Sequence, residues 1–295
     1  MQLYCVCLLG LAALAGTISG CVTTSNVATT SDRPGESGVE TANESVSYID
    51  VAPPAAPFMD DKDFRNWFAY YYRHHRSDRL TPALQFMDAK GMLESDPDVA
   101  SVFVSRIFAG TPAANAAWLT KLDEAKPGLS SDAWSIVVIA LWMSKTPDSR
   151  TLAITYIDRI SADRRGRVES MLAKKPDGYD PLTAEVTDSR QVNLLWAAFN
   201  ATGDTQYVNS VINQIHMYGV DDESMRGVIG EAAIMSLAHN ALYHPAVAML
   251  CERQISEHHN PRTRGMLNIM LQALVQFAAP DESSPEAVDE DALAH

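Results

Sequence analysis

The chain has 295 residues, 46% hydrophobic and 20% charged, and its 37 acidic residues against 23 Lys and Arg give a formal net charge of -14. That balance argues against nucleic acid as a partner, because phosphate backbones are held by a basic field. The apolar content suffices for a sizeable core, and the length allows one or two domains.

The first apolar run, Leu8, Leu9, Leu11, Ala12, Ala13, Leu14 and Ala15, is too short to span a bilayer well and closes on small residues before a cysteine. This predicts a signal peptide over residues 1–20. No Lys or Arg stands in residues 1–7, so the α-amino group carries the only positive charge there. The segment Ile18-Ser19-Gly20-Cys21 resembles the lipobox of bacterial lipoproteins. The resemblance implies that Ile18, Ser19 and Gly20 are read by a signal peptidase and that Cys21 is acylated. Cys21 would then begin the mature chain and tether it to the lipid bilayer of the cell envelope. Val22, rather than Asp, follows that cysteine, which in a host with two membranes implies the outer membrane, facing the periplasm. Cys5 and Cys7 would leave with the signal, and Cys251 would remain as a free thiol, read as a small core residue.

Residues 21–59 hold many Ser, Thr, Val, Glu, Gly and Pro, show no helical apolar period and reach Pro53-Pro54-Ala55-Ala56-Pro57 near their end. Such a segment buries too little apolar surface to offset its ordering entropy, so it is expected to be a flexible, lipid-anchored linker.

From Asp60 the pattern becomes helical. Asp60, Asp61 and Asp63 suit the N-terminus of a run in which Phe64, Trp67, Phe68, Tyr71 and Tyr72 recur at spacings of three and four, closing on Arg73-His74-His75-Arg76. Thr81-Pro82 predicts a capped start for a helix carrying Leu84, Phe86, Met87 and Met92, with Gly91 as its stop. Asp96-Pro97 opens the next helix, which ends at Gly110, and Thr111-Pro112 opens one ended by Pro127-Gly128. Ser131-Asp132 caps an apolar helix from Ala133 to Met143, and Thr146-Pro147 opens another.

A polar helix is expected from Arg164 to Lys175, then a long loop over 176–187 that is a possible internal break. Asp188 caps a helix carrying Trp196 and Phe199; Thr202-Gly203-Asp204 turns into Tyr207, Val208 and Val211. A long helix runs from about Glu223 to Tyr243, His244-Pro245 starts the next and Asn260-Pro261 the last. Residues 280–295 form an acidic tail, expected to be disordered and solvated. The fold class is therefore all-α, stacked antiparallel helix hairpins over residues 60–279, with pairs recurring about every 30 to 40 residues in the manner of a solenoid.

The stretch from Trp196 to Val208, with Gly203-Asp204 at its turn, resembles tetratricopeptide-like units over about one repeat. It is also similar to a set of bacterial proteins sharing a Leu-Leu-Trp-Ala-Ala-Phe-x-Ala-Thr-Gly-Asp segment. The resemblance implies a helix, a Gly-Asp turn and a second helix, and carries no activity with it.

No His-Glu-x-x-His, phosphate-binding glycine loop, nucleophile elbow or Cys-x-x-Cys is present, so neither a metal nor a cofactor is expected and no catalytic residue is assigned. The pairs His74-His75 and His258-His259 read as solvated helix ends, since adjacent helical residues point about 100° apart. Glu231, His239 and Asn240 form a polar thread through an apolar surround and, with Tyr71 of the aromatic cluster, are candidates for a binding groove. Glu231 and His239 lie about 12 Å apart along a helix axis and cannot share a proton. These features favour a membrane-tethered, non-enzymatic scaffold whose partner is an envelope protein or peptide. The alternative is an envelope enzyme acting on cell-wall material with Glu231 as the acid.

Overall fold

The computed structural model describes residues 56–125, 128–174, 179–220 and 225–278. The expected signal peptide with Ile18, Ser19, Gly20 and Cys21, nearly all of the linker and the acidic tail lie outside the described residues. Every regular element described is a helix, and no strand occurs among the described residues, so the all-α class holds there. No described helix is long and apolar enough to cross a membrane.

The helices are α1 (Asp61–Ala69), α2 (Tyr71–His74), α3 (Leu80–Ala89), α4 (Met92–Ser95), α5 (Pro97–Gly110), α6 (Asn115–Glu124), α7 (Ser131–Ser144) and α8 (Ser149–Tyr156). They continue with α9 (Ala162–Lys174), α10 (Arg190–Thr202), α11 (Thr205–Ile212), α12 (Met225–Tyr243), α13 (Pro245–Glu257) and α14 (Pro261–Ala278). Several starts follow from local chemistry. The Asp60 carboxylate accepts from the Asp63 amide at 2.8 Å, Asp204 from the Gln206 amide at 2.9 Å and Asn260 from the Arg262 amide at 2.9 Å. Each fills one of the donors that the first helical turn leaves without a partner.

Other boundaries differ from the expected ones. Helix α3 begins at Leu80, fed by a 3-10 turn over Ser77–Arg79, so Thr81 is inside it rather than its cap. Met92 belongs to α4, beyond Gly91, whose φ of 68° breaks the helical path. The cap of α7 is Ser130, whose hydroxyl accepts from the Ala133 amide at 3.1 Å.

The core forms around α5, α7 and α10. Helix α7 is apolar on every side and accordingly buried on nearly every side, from Ala133 to Ser144. Helix α5 packs against α7 and also against α10, which follows it only after four intervening helices. Toward the C-terminus, α10 and α11 pair, and α12, α13 and α14 pack on one another.

An aromatic cluster closes the N-terminal end. Phe64 stacks on Phe86 at 4.8 Å between ring centroids, Phe68 on Phe103 at 4.3 Å, and Trp67 meets both Tyr71 and Phe103 edge-on at 5.5 Å. Phe58 joins this cluster, 5.4 Å from Phe64 and 5.5 Å from Trp67, with the Arg79 guanidinium 3.9 Å above its ring. The core thus begins within the stretch expected to be linker, because one large aromatic there finds a pocket of rings. In the expected break over 176–187, Asp180 is held by Arg106 of α5 and accepts from the Leu182 amide, which docks the described part of that loop on the core.

Candidate functional site

Helix α2 carries Tyr71, Tyr72 and Arg73, with Tyr70 as its N-cap; α12 ends in Tyr243, and His244 is the residue between α12 and α13. Pro245, at the first helical position, needs no hydrogen-bond partner for its nitrogen and has φ preset, so α13 starts there. The His244 amide donates to the Asn240 carbonyl and its own carbonyl accepts from the Val247 amide, both at 2.8 Å. This aims the imidazole at α2.

The Tyr70 hydroxyl donates to the Tyr243 carbonyl at 3.0 Å. The Tyr72 hydroxyl lies 3.1 Å from His244 Nδ1 and accepts from Arg73 Nε at 3.1 Å. A phenol has one proton, and with arginine donating to its oxygen that proton points to Nδ1, which leaves the neutral imidazole protonated at Nε2. The His244 ring is 4.8 Å from Tyr70 and 5.7 Å from Phe199, and only 2% of the residue is exposed. Burial, with smaller contributions from Arg73 and His239, pushes its pKa down to about 4. Tyr72 also packs on Phe199 at 5.1 Å and against Gly203, where a Cβ would stand 2.8 Å from the Tyr72 ring. Gly203 has a φ of 72°, so glycine serves both the turn and the close approach.

Above this buried layer is an exposed one. The Arg73 guanidinium lies 5.1 Å from the Tyr70 centroid and 5.5 Å from that of Tyr72. His239, half-buried with its pKa lowered by burial, sits 5.0 Å from the Tyr243 ring. Tyr243 is 43% and its neighbour Leu242 50% exposed.

The groove candidates are not brought together as expected. Tyr71 points the other way, into the aromatic core against Trp67 and Phe103, where burial pushes its hydroxyl up to about 12. Tyr70 stands at the break before α2 with non-helical backbone, while Tyr71 and Tyr72 are helical and diverge by about 100°, so Tyr70 and Tyr72 reach the step between α12 and α13 while Tyr71 faces the aromatic core. Glu231 is exposed and has no ion pair among the described residues. Asn240 spends its side-chain amide on the Ser236 carbonyl of its own helix at 2.8 Å. No hydrogen bond joins Glu231, His239 and Asn240 to one another.

His258 also departs from its expected solvated helix end. It is buried, bonded through Nε2 to Asn213 at 3.0 Å, and accepts the Asn260 amide at Nδ1 at 3.1 Å, locking the turn between α13 and α14. Cys251 is fully buried and its thiol is pushed up to about 12, as a small core residue requires.

An open hollow of about 560 Å³ lies beside α1 and α2, lined by Asn66, Tyr71, His74, Arg76 and Arg79 among others. Its cations are already matched, Arg79 by Asp63 at 2.7 and 2.9 Å and Arg76 by Asp78 at 2.6 and 2.8 Å. Among the described residues no three His, Cys, Asp or Glu side chains converge as metal ligands would.

Fold and junction together define an all-α protein with a preorganised surface of tyrosine, histidine and arginine. In comparison with known proteins, no family model matches the chain, and neither a curated protein nor a solved structure matches it. The aromatic cluster with Tyr70, Tyr71 and Tyr72 was a candidate in the sequence, but its pairing with His244 was not foreseen. The signal was the His244-Pro245 step, which marks a helix start but says nothing of what the capping ring meets.

Proposed function

We propose that this chain is a cell-envelope lipoprotein, anchored through acylated Cys21, whose helical domain is a non-enzymatic scaffold for a protein or peptide. In a host with two membranes the anchor lies in the outer membrane and the domain faces the periplasm. The supporting observation is the surface of exposed Arg73, Leu242 and Tyr243 with half-buried Tyr70 and His239, over a hydrogen-bonded base. Tyr and Arg are the side chains that most often carry binding energy at protein interfaces, and rings fixed in advance lose little entropy on contact. A tetratricopeptide-like stacking is assigned to the run from α10 to α14; the packing of α5 on α10 lies outside such neighbour-only contacts.

The test is co-purification from envelope extracts with the full chain and with Tyr243→Ala. A discrete partner retained by the native chain and lost by the variant supports the scaffold; equal capture, or release of cell-wall fragments that depends on Glu231, overturns it. The anchor is tested by Cys21→Ser, which should move the protein from membranes to the soluble fraction.

A further inference from the structure

We propose that the ligand of this surface is a carboxylate-bearing peptide segment, gripped by the guanidinium of Arg73, an inference that rests on the scaffold reading above. The protein is strongly acidic, and eight of the fifteen arginines among the described residues are ion-paired with an Asp or Glu. Arg73 is exposed and has no carboxylate within ion-pairing distance among the described residues. It is nevertheless held. Its Nε is committed to the Tyr72 hydroxyl, and its plane is confined by the Tyr70 and Tyr72 rings.

The two Nη groups are left as an open fork with no hydrogen bond inside the described residues. A fork fixed by one internal hydrogen bond and by aromatic contact matches the two oxygens of a carboxylate and has little rotamer freedom left to lose. The groups around it carry no opposing charge: Tyr70, Tyr72 and Tyr243 are phenols, and His244 is a buried imidazole with its pKa pushed down to about 4. Tyr243, whose carbonyl accepts from the Tyr70 hydroxyl, is exposed and offers apolar contact to the neighbouring side chains of such a segment, which a lone anion would not use.

The probes are two fluorescein-labelled peptides, acetyl-Phe-Glu-Asp-Phe-Glu-Asp-amide and its Gln/Asn counterpart, titrated with the full chain in detergent and read by anisotropy. The acidic peptide should bind and its amide counterpart should bind about tenfold or more weakly. Arg73→Gln should remove that preference, and Arg73→Lys should restore only part of it, because an ammonium is neither planar nor bidentate. Equal binding of both peptides, lost in Tyr243→Ala, would overturn the carboxylate assignment and leave the scaffold reading standing. Binding of the acidic peptide that is unchanged in Arg73→Gln, no binding of it, or binding to phosphatidylglycerol vesicles in its place would each overturn the assignment. A further full chain, with the six carboxylates Asp281, Glu282, Glu286, Asp289, Glu290 and Asp291 changed to amides, should bind the acidic peptide at least as tightly as the native chain. Weaker binding there would count against it.

Discussion

The Tyr72 hydroxyl and His244 Nδ1 stand 3.1 Å apart across 172 residues of chain, joining the N-terminal helices to the step between α12 and α13. Since the same oxygen accepts from Arg73 Nε, Tyr72→Phe removes a donor from a buried imidazole and an anchor from an exposed guanidinium together. The expected cost is about 1 to 3 kcal/mol, as for other buried groups left unpaired. It is measured as a lower urea midpoint with unchanged slope; an unshifted midpoint contradicts the geometry.

The same pair makes stability depend on pH. The folded-state pKa of His244, about 4, lies below the ordinary histidine value of about 6.5, so on acidification the unfolded chain takes up the proton first. The melting temperature should be insensitive to this group above about pH 7, decline between about 6.5 and about 4 as the unfolded state is favoured, and lose nothing further through it below that. His239 and His258, also lowered by burial, act in the same direction. His244→Asn should flatten the slope between pH 6.5 and 4. A slope identical to the native one would show that the imidazole is not the titrating group.

Gly230 of α12 faces the turn that precedes it, and a Cβ there would lie 2.1 Å from the Tyr218 nitrogen and 2.6 Å from its Cα. Backbone cannot swing aside as a flexible side chain can, so Gly230→Ala is expected to cost about 3 kcal/mol or more. Gly265 of α14 meets nothing within 4 Å of a built Cβ, and Gly265→Ala should instead stabilise by about 0.5 to 1 kcal/mol through helix propensity. Thermal melts of the two variants must move in opposite directions.

Phe58 marks where folding energy begins. Its ring is buried among Phe64, Trp67 and Phe86, and Phe58→Ala should cost about 3 kcal/mol. Denaturant unfolding of the native chain and the variant checks this, and a loss below about 0.5 kcal/mol would return Phe58 to the linker.

Much of the helical layout was legible because its causes are local. Apolar spacing, Asp60, Asp204 and Asn260 as capping side chains, and Pro97, Pro245 and Pro261 at first helical positions act within one or two turns of chain. The strongly apolar run from Ala133 to Met143 likewise announced the helix α7. Caps one residue away, such as Ser130 beside Ser131, were missed because neighbouring hydroxyls carry the same local signal and only backbone geometry separates them.

The candidate site was legible in composition and not in membership. The sequence by itself determined that tyrosines crowd the start of α2, that His244 precedes a helix and that Gly203 turns the chain. Only the tertiary structure decided that Tyr70 and Tyr72, rather than Tyr71, meet that histidine, that His258 is a buried clamp, and that Arg73 has no carboxylate partner among the described residues. The physical reason is reach. Caps and periodicity are settled within a few residues, whereas the direction of a ring within a 100° step, and the fate of a charge, depend on which distant helix packs there and what it carries.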